Sequence, residues 1–309
     1  MGPQALERVL KRLIFLGAPK AFILVILLAS WQTFSPYSEG AQYEVIEYYA
    51  GVGRIARLSS ACGYQSTAYD VLYQPGPSNA ATGPGPGCGL ALHLLMQGKF
   101  SELLTFWGIC CSSWIHLNSG TSKRDYATPM GCDVPSVVLA NLLTSRSCFL
   151  ILFVICMEGV PVVENPGSSL IWLHDRFQWL LTLLERAGLK MYRQSFWMRG
   201  FDHFSMKRTI LWSTSPAIIA FMQFAHFKGK KDKSPASKST TRRYINRWGE
   251  VAYHGTRDLK RTQIYTPKFA SFVVRLVPKL HERKQKFPEV LWLYIIRGIG
   301  ELFQIKIVW

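Results

Sequence analysis

The chain has 309 residues, of which 49% are hydrophobic, and a formal net charge of +17. This length and apolar content support a hydrophobic core in one large domain, or in one domain with a smaller unit attached. The seven cysteines are an odd number without the spacing of a disulfide framework or a zinc site. We therefore predict no metal and a reducing compartment, nuclear or otherwise intracellular.

The first 43 residues are a lead-in that contains a short apolar segment. Lys11, Arg12 and Lys20 precede a run of nine apolar residues, Ala21 to Ala29. The run is too short to span a bilayer as a helix, although a charged front before an apolar core is also typical of signal peptides. A buried N-terminal helix is the interpretation that we favour over secretion or membrane association.

The residues from Glu44 to Asp70 have the pattern of a nucleotide-binding strand–helix–strand unit. A strand is predicted at 45–49, a helix follows Gly53 and ends near Gly63, and a second strand at 66–69 ends on Asp70. Glycines let the backbone turn sharply and approach a ligand, and an acid after the second strand can hold ribose hydroxyls. This pattern points to an adenosine-containing cofactor and hence to an enzyme.

The glycine spacing leaves the cofactor open. Gly51-x-Gly53-x-x-Ala56 with Asp70 fits NAD about as well as S-adenosylmethionine, and a tight turn without a ligand is a third interpretation. Glu47, four residues before the first glycine, suits a ligand with a cationic amino-acid end and does not suit a pyrophosphate. It therefore favours S-adenosylmethionine.

Alternating strands and helices continue to about residue 220. This order predicts an α/β domain, doubly wound around a mainly parallel sheet, over residues 44–220. Loops are predicted at 72–89 and 112–134, helices at 90–97, 135–157 and 177–187, and strands at 103–109, 160–163, 189–196 and 209–213.

Residues 221–309 form a basic linker and a C-terminal extension. They hold 19 Lys and Arg against 6 Asp and Glu, which is +13 of the total charge. Such asymmetry predicts a polyanionic partner, most simply nucleic acid, with DNA favoured over RNA. Arg242 and Arg243, in the polar linker at 228–243, are the candidate contacts. A solvated basic tail without a specific partner is the alternative.

Two of the predicted strands end in residues that can carry chemistry. The strand at 103–109 leads into Cys110-Cys111, and the strand at 160–163 leads into Glu164-Asn165-Pro166. A thiol at a strand end can have a lowered pKa and act as a nucleophile, whereas most free cysteines are small buried hydrophobes. We assign packing to Cys110 and leave both roles open for Cys111. Glu164 is either a partly desolvated proton donor or a helix cap.

The order of these motifs resembles that of the cytosine-5 DNA methyltransferases. The residues Glu47 to Gly53 are similar to that family's cofactor motif, Cys111-Ser112-Ser113-Trp114 to its nucleophile motif, and Glu164-Asn165-Pro166 to its Glu-Asn-Val motif. The resemblance covers residues 44–215 and implies a methyltransferase-type sheet, a methyl donor, a covalent cysteine–base intermediate and a flipped cytosine.

The resemblance implies a role for each matching residue. Cys111 would attack C6 of cytosine, Glu164 would contact N3 and Asn165 would support Glu164. Lys207 would contact phosphate, and Arg208 would orient the active site. The residues that would hold S-adenosylmethionine are Glu47, Tyr49, Ala50, Gly51, Gly53 and Asp70.

The chain also departs from the family pattern. Cys110 stands where the family has proline, Ser112 where it has glutamine, and Arg54 where it has a third glycine. These changes leave two alternatives to methyl transfer open. One is a degenerate homologue that binds nucleic acid or a protein without catalysis. The other is an NAD-dependent oxidoreductase, for which no catalytic Tyr-x-x-x-Lys element is evident.

Overall fold

The computed structural model of the protein describes residues 1–33, 42–70, 86–225, 240–247, 249 and 251–287. Most of the predicted loop at 72–89, the larger part of the linker at 228–243 and the last 22 residues lie outside these ranges.

Six strands form one sheet with the spatial order β2-β1-β3-β4-β6-β5. The first four strands are parallel, and β6 runs antiparallel to both of its neighbours. The predicted α/β fold with a mainly parallel sheet is thereby confirmed, and the arrangement is Rossmann-like. The strands are β1 (Val45–Tyr48), β2 (Ser66–Tyr69), β3 (Leu104–Trp107), β4 (Val160–Pro166), β5 (Tyr192–Trp197) and β6 (Arg208–Ser213).

Helices cover both faces of the sheet because the central strands are apolar on both sides. Ile46 and Tyr48 of β1 face one hydrophobic cluster, and Val45 faces the other. The helices are α1 (Pro3–Phe15), α2 (Lys20–Thr33), α3 (Arg54–Ala61), α4 (Pro86–Met96), α5 (Ser119–Ser122), α6 (Pro135–Cys156), α7 (Asp175–Arg186), α8 (Arg257–Arg261) and α9 (Pro267–Glu282).

The N-terminal lead-in forms two helices that join the core. Val9 and Leu13 of α1 and Ile26 of α2 are fully buried, as the interpretation of a buried helix requires, whereas Leu24 and Leu28 of α2 remain exposed. Among the described residues, one helix is long and apolar enough to cross a membrane by length and composition. That helix is α6, and 56% of its apolar window is buried inside the protein.

The chain beyond residue 220 differs from a simple basic extension. Phe269 of α9 is fully buried and packs on Phe106 of β3, with ring centroids 6.1 Å apart, and on Phe196 of β5 at 5.9 Å. Helix α9 is therefore part of the core of the sheet domain. The predicted linker also ends early, because β7 (Thr241–Ile245) and β8 (Val251–Gly255) form an antiparallel hairpin.

Candidate functional site

The carboxyl ends of β1, β2, β3 and β4 meet at one edge of the sheet, where open α/β sheets bind ligands. The reversed strand β6 brings its amino end to the same edge, because Pro166 at the end of β4 pairs with Thr209 near the start of β6. Lys207, directly before β6, consequently lies beside Glu164. Candidate residues from five strands are thus collected at this edge.

The glycine loop after β1 has a backbone that strongly favours glycine. Gly51 has φ 55° and Gly53 has φ 64°, and Tyr49 shares the left-handed region at φ 55°. A Cβ added at Gly51 would meet no atom within 4 Å, so the loop borders open space. The N–H of Gly51 donates to Oδ2 of Asp70 at 2.8 Å, which joins the two predicted cofactor elements.

Tyr49 and Ala50 shape this loop by contacts within the protein. The hydroxyl of Tyr49 lies 2.8 Å from Oγ of Ser147 on α6, which fixes the side chain at the end of β1. Ala50 is buried, and its carbonyl accepts a hydrogen bond from the N–H of Gly53 at 2.8 Å. Both residues therefore help to fix the turn that follows β1.

Glu47 has a different immediate role from the one that the sequence predicts. Its side chain is fully buried, and its Oε2 accepts a hydrogen bond from the N–H of Ala56 in the first turn of α3, at 2.9 Å. Burial raises the pKa of Glu47 to about 7, although the backbone N–H groups of Ala56 and Ile55 lower it. In this conformation Glu47 supports the helix after the glycine loop and has no exposed surface for direct contact with a ligand.

The two carboxylate oxygens of Glu164 have different partners: Oε1 forms an ion pair, and Oε2 accepts a hydrogen bond. Nζ of Lys207 lies 3.2 Å from Oε1, and the hydroxyl of Tyr265 donates to Oε2 at 2.9 Å. The side chains of Lys207 and Glu164 are 14% and 6% exposed, so this ion pair is largely removed from water. The partners of Glu164 exclude the alternative in which its side chain caps the following helical turn.

Lys207 and Arg208 have different partners, and it is Lys207 that lies in the cluster. Lys207, expected to contact phosphate, is the partner of Glu164. Arg208, expected in the active site, is exposed, and its Nε donates to Oγ of Ser195 at 2.9 Å. Neighbouring residues at a strand end point in opposite directions, so the register of β6 decides which cation enters the site.

Asn165 links the ends of two strands. It is fully buried, and its Nδ2 donates to the carbonyl of Ile109 at 3.0 Å and to that of Glu164 at 2.9 Å. Ile109 directly precedes Cys110. Asn165 therefore ties the segment before the two cysteines to the backbone at the end of β4; its predicted catalytic support of Glu164 stays a prediction.

The adjacent cysteines have different surroundings. Cys110, which we expected to pack in the core, is exposed, and Cys111 is partly buried. Burial raises the pKa of Cys111 to about 11, while Lys207 lowers it and Glu164 raises it further. The raised pKa favours the protonated thiol, and hence the packing role, of the two roles that the sequence leaves open for Cys111.

Arg124, which the sequence analysis does not identify, holds the loop after Cys111. Its guanidinium lies 3.5 Å from the ring centroid of buried Trp114, and its Nη2 donates to Oδ1 of Asn141 at 2.8 Å and to Oγ of Ser113 at 3.2 Å. The carbonyl of Trp114 also accepts from the N–H of Leu170, at 2.9 Å, in the segment after β4. These contacts fix the cysteine loop beside the end of β4.

Two of the three predicted nucleic-acid contacts, Arg242 and Arg243, lie on the hairpin and not in this cluster. Arg242 and Arg243 are exposed on β7, and Arg243 pairs across the hairpin with Tyr253, which is 54% exposed. Tyr244 is 49% exposed on the opposite face from Arg243. The hairpin therefore presents cations and aromatic rings to solvent on both of its faces.

No protein-family model matches this chain, and no curated protein matches it. Within the described ranges, no group of three or more His, Cys, Asp or Glu side chains is placed to hold a metal ion.

Alkylation of Cys111 tests the electrostatics of the site. In a Cys110→Ser background, we expect the rate of reaction with iodoacetamide to rise roughly tenfold per pH unit between pH 7 and 9, because only the thiolate reacts. Lys207→Gln should slow the reaction by removing a stabilising cation, and Glu164→Gln should accelerate it. Peptide mass spectrometry gives the rate at Cys111. A rate that is already constant above pH 7 would contradict the raised pKa.

Proposed function

We propose that the protein transfers a methyl group from S-adenosylmethionine to C5 of cytosine in nucleic acid, with DNA favoured over RNA. This proposal rests on one observation. A thiol, a carboxylate and a lysine lie at the same edge of the sheet, the edge where the glycine loop follows β1. Cys111, Glu164 and Lys207 come from three separate chain segments; Nζ of Lys207 lies 3.2 Å from Oε1 of Glu164, and both groups shift the pKa of the Cys111 thiol. The mixed sheet with one reversed strand is compatible with the methyltransferase type that the resemblance implies.

The residues at the ends of β1 and β2 fit an adenosine-containing methyl donor. The space beside Gly51 is open, and the carboxylate of Asp70 lies at the same edge. Asp70 would accept hydrogen bonds from the ribose, and Gly51 and Gly53 would let the backbone approach the ligand. Glu47 would stabilise the start of α3 after the loop, because its Oε2 accepts a hydrogen bond from the N–H of Ala56. When bound, S-adenosylmethionine supplies an electrophilic methyl group.

The second cluster would act on the base. Cys111 would give its proton to solvent, and the thiolate would form a bond to C6 of cytosine; the C5=C6 π electrons shift toward C4 as N3 takes up a proton from solvent, which makes C5 nucleophilic. Glu164, beside Lys207 and Tyr265, would then stabilise the protonated ring by accepting a hydrogen bond from N3–H. After methylation at C5, a solvent base would take the C5 proton, the S–C6 bond would break as the C5=C6 double bond re-forms, and N3 would release its added proton, which returns the free thiolate.

The β7–β8 hairpin supports a nucleic-acid substrate. Exposed arginines neutralise phosphates, and exposed tyrosines can stack on bases. Arg242, Arg243, Tyr244 and Tyr253 supply both kinds of group on one short element.

A degenerate homologue without catalysis is the second candidate function. The observation in its favour is the pKa of Cys111, because a value of about 11 leaves the thiol protonated near pH 7 in the free protein. Such a protein would bind nucleic acid through the hairpin but would not form a covalent adduct. An NAD-dependent oxidoreductase is less well supported, since it leaves Cys111 and the Glu164–Lys207 pair without a role.

Cofactor binding should depend on Gly53. We expect calorimetry to show binding of S-adenosylmethionine and of its demethylated product but not of NAD. Gly53→Val should abolish this binding, because valine does not tolerate φ 64° and would fill the space near the ligand. Gly249→Val is the matched control, since Gly249 also has a positive φ, 79°, in the turn of the hairpin. Equal affinities of the wild type and Gly53→Val would remove the cofactor site.

Covalent trapping tests the chemistry. Fluorine at C5 of cytosine prevents loss of the C5 proton and therefore preserves the cysteine–base bond. With S-adenosylmethionine and a 5-fluorocytosine oligonucleotide, we expect an adduct on Cys111 that survives denaturation. Cys111→Ser should abolish it, and Cys110→Ser should retain it. An adduct on Cys110 would shift the motif by one residue, and no adduct despite binding of both ligands would favour the degenerate homologue.

The hairpin should contribute to the salt dependence of nucleic-acid binding. Since deletion of residues 228–309 would also remove α9 from the core, point substitutions are the cleaner test. Arg242→Ala with Arg243→Ala should reduce the slope of log K against log salt by about 1.8 on duplex DNA, or about 0.9 per phosphate contact. Arg186→Ala with Lys190→Ala, two exposed cations near the start of β5, is the control. An unchanged slope would exclude the hairpin from the interface.

A further inference from the structure

Tyr265 lies in the connection between α8 and α9 and reaches the centre of the candidate active site. It is 7% exposed, and its ring packs edge-on to Phe106 at a centroid distance of 5.5 Å. Its hydroxyl donates to Oε2 of Glu164 at 2.9 Å, across a separation of 101 residues in the chain. Neither the motif pattern nor the resemblance assigns this residue a role.

Tyr265 complements Lys207 in fixing the orientation of Glu164. The ammonium group of Lys207 and the hydroxyl of Tyr265 come from different segments, and each lies against a different oxygen of one carboxylate. Rotation of the carboxylate would break at least one of these interactions in a largely dehydrated environment, where an unpaired charged group is costly. Burial raises the pKa of Tyr265 well above 10, so its hydroxyl remains a proton donor at neutral pH.

The position of Tyr265 is itself constrained by its neighbours. Nη1 of Arg54 donates to the carbonyl of Tyr265 at 2.6 Å, and Arg54 is the first residue of α3, directly after the glycine loop. Gly108 at the end of β3 leaves room for the phenol, since a Cβ there would lie 2.6 Å from its hydroxyl oxygen. Arg54, which stands where the methyltransferase motif has its third glycine, thus acquires a structural role.

We propose that Tyr265 is a positioning residue that orients Glu164 toward the target base, and that Arg54 holds Tyr265 in place. This inference rests on the proposed methyl transfer. On this proposal the C-terminal segment has two roles: its hairpin carries exposed positive charge, and its Tyr265 orients the carboxylate that would contact the base. The arrangement explains why α8, Tyr265 and α9 return to the sheet after the exposed hairpin.

The test measures the rate of covalent trapping with 5-fluorocytosine DNA in a set of variants. Tyr265→Phe keeps the ring and removes the hydroxyl, and we expect the rate to fall roughly 10- to 100-fold, as for loss of one hydrogen bond to a charged group. The affinities for S-adenosylmethionine and for DNA should stay within twofold. Thr144→Val, which removes another buried hydroxyl, in α6, should leave the rate unchanged.

Substitution of Glu164 shows whether Tyr265 acts through this carboxylate or only by packing in the core. In a Glu164→Ala background, Tyr265→Phe should cause no further loss of rate, because its effect passes through the missing carboxylate. Equal losses in both backgrounds would overturn the positioning role while leaving methyl transfer intact. Gly108→Ala provides a second route, since the added methyl group would displace the hydroxyl and should slow trapping while Tyr265 is retained.

Failure of the proposed function has a distinct signature. If the wild type binds cofactor and DNA but forms no adduct, methyl transfer by Cys111 is excluded and the positioning role falls with it. If the wild type forms the adduct at an unchanged rate after Tyr265→Phe, only the positioning role is overturned.

Discussion

The reversed direction of β6 is the constraint on which the candidate site depends. A parallel strand beside β4 would carry the residue before it to the opposite edge of the sheet. Antiparallel pairing places Lys207 next to the carboxyl end of β4, within 3.2 Å of Oε1 of Glu164. The carboxyl ends of β1 and β3 meet at this edge as well, so that a glycine loop, a thiol and an ion pair become neighbours.

The buried charges at this edge are poorly explained by stability alone. Taking an ion pair out of water costs free energy that well-packed apolar residues would not require. The side chains of Lys207 and Glu164 are 14% and 6% exposed. Burial also raises the pKa of the Cys111 thiol. A buried ion pair beside a thiol with a raised pKa is the kind of cluster from which the proposed function is argued.

The C-terminal segment from β7 to α9 contacts elements that lie far from it in the sequence, namely α3 and the end of β4. After the exposed hairpin, the chain returns through Tyr265 to α9, whose Phe269 is buried among the aromatic residues of the sheet. Arg54 connects Tyr265 to the start of α3, and α3 follows the glycine loop. One segment of about 40 residues thus contains the basic hairpin, contacts the start of α3 and reaches Glu164.

The sequence by itself determined the elements whose signals are local. The alternation of apolar strands with helices predicts the α/β fold, and the strand at Ser66–Tyr69 has its predicted bounds. The glycines predict a sharp turn after the first strand, and Gly51 and Gly53 have positive φ in that turn. These features follow from side-chain periodicity and backbone sterics within a few residues.

Only the tertiary structure decided which side chains meet. Cys110 and Cys111 differ in exposure, and Lys207 and Arg208 differ in partner, because strand register decides which of two neighbours faces the site. Glu47 is directed to the backbone of α3, and Tyr265 reaches Glu164 from 101 residues away. No local pattern encodes such contacts, since they depend on how the helices and strands pack after the chain has folded.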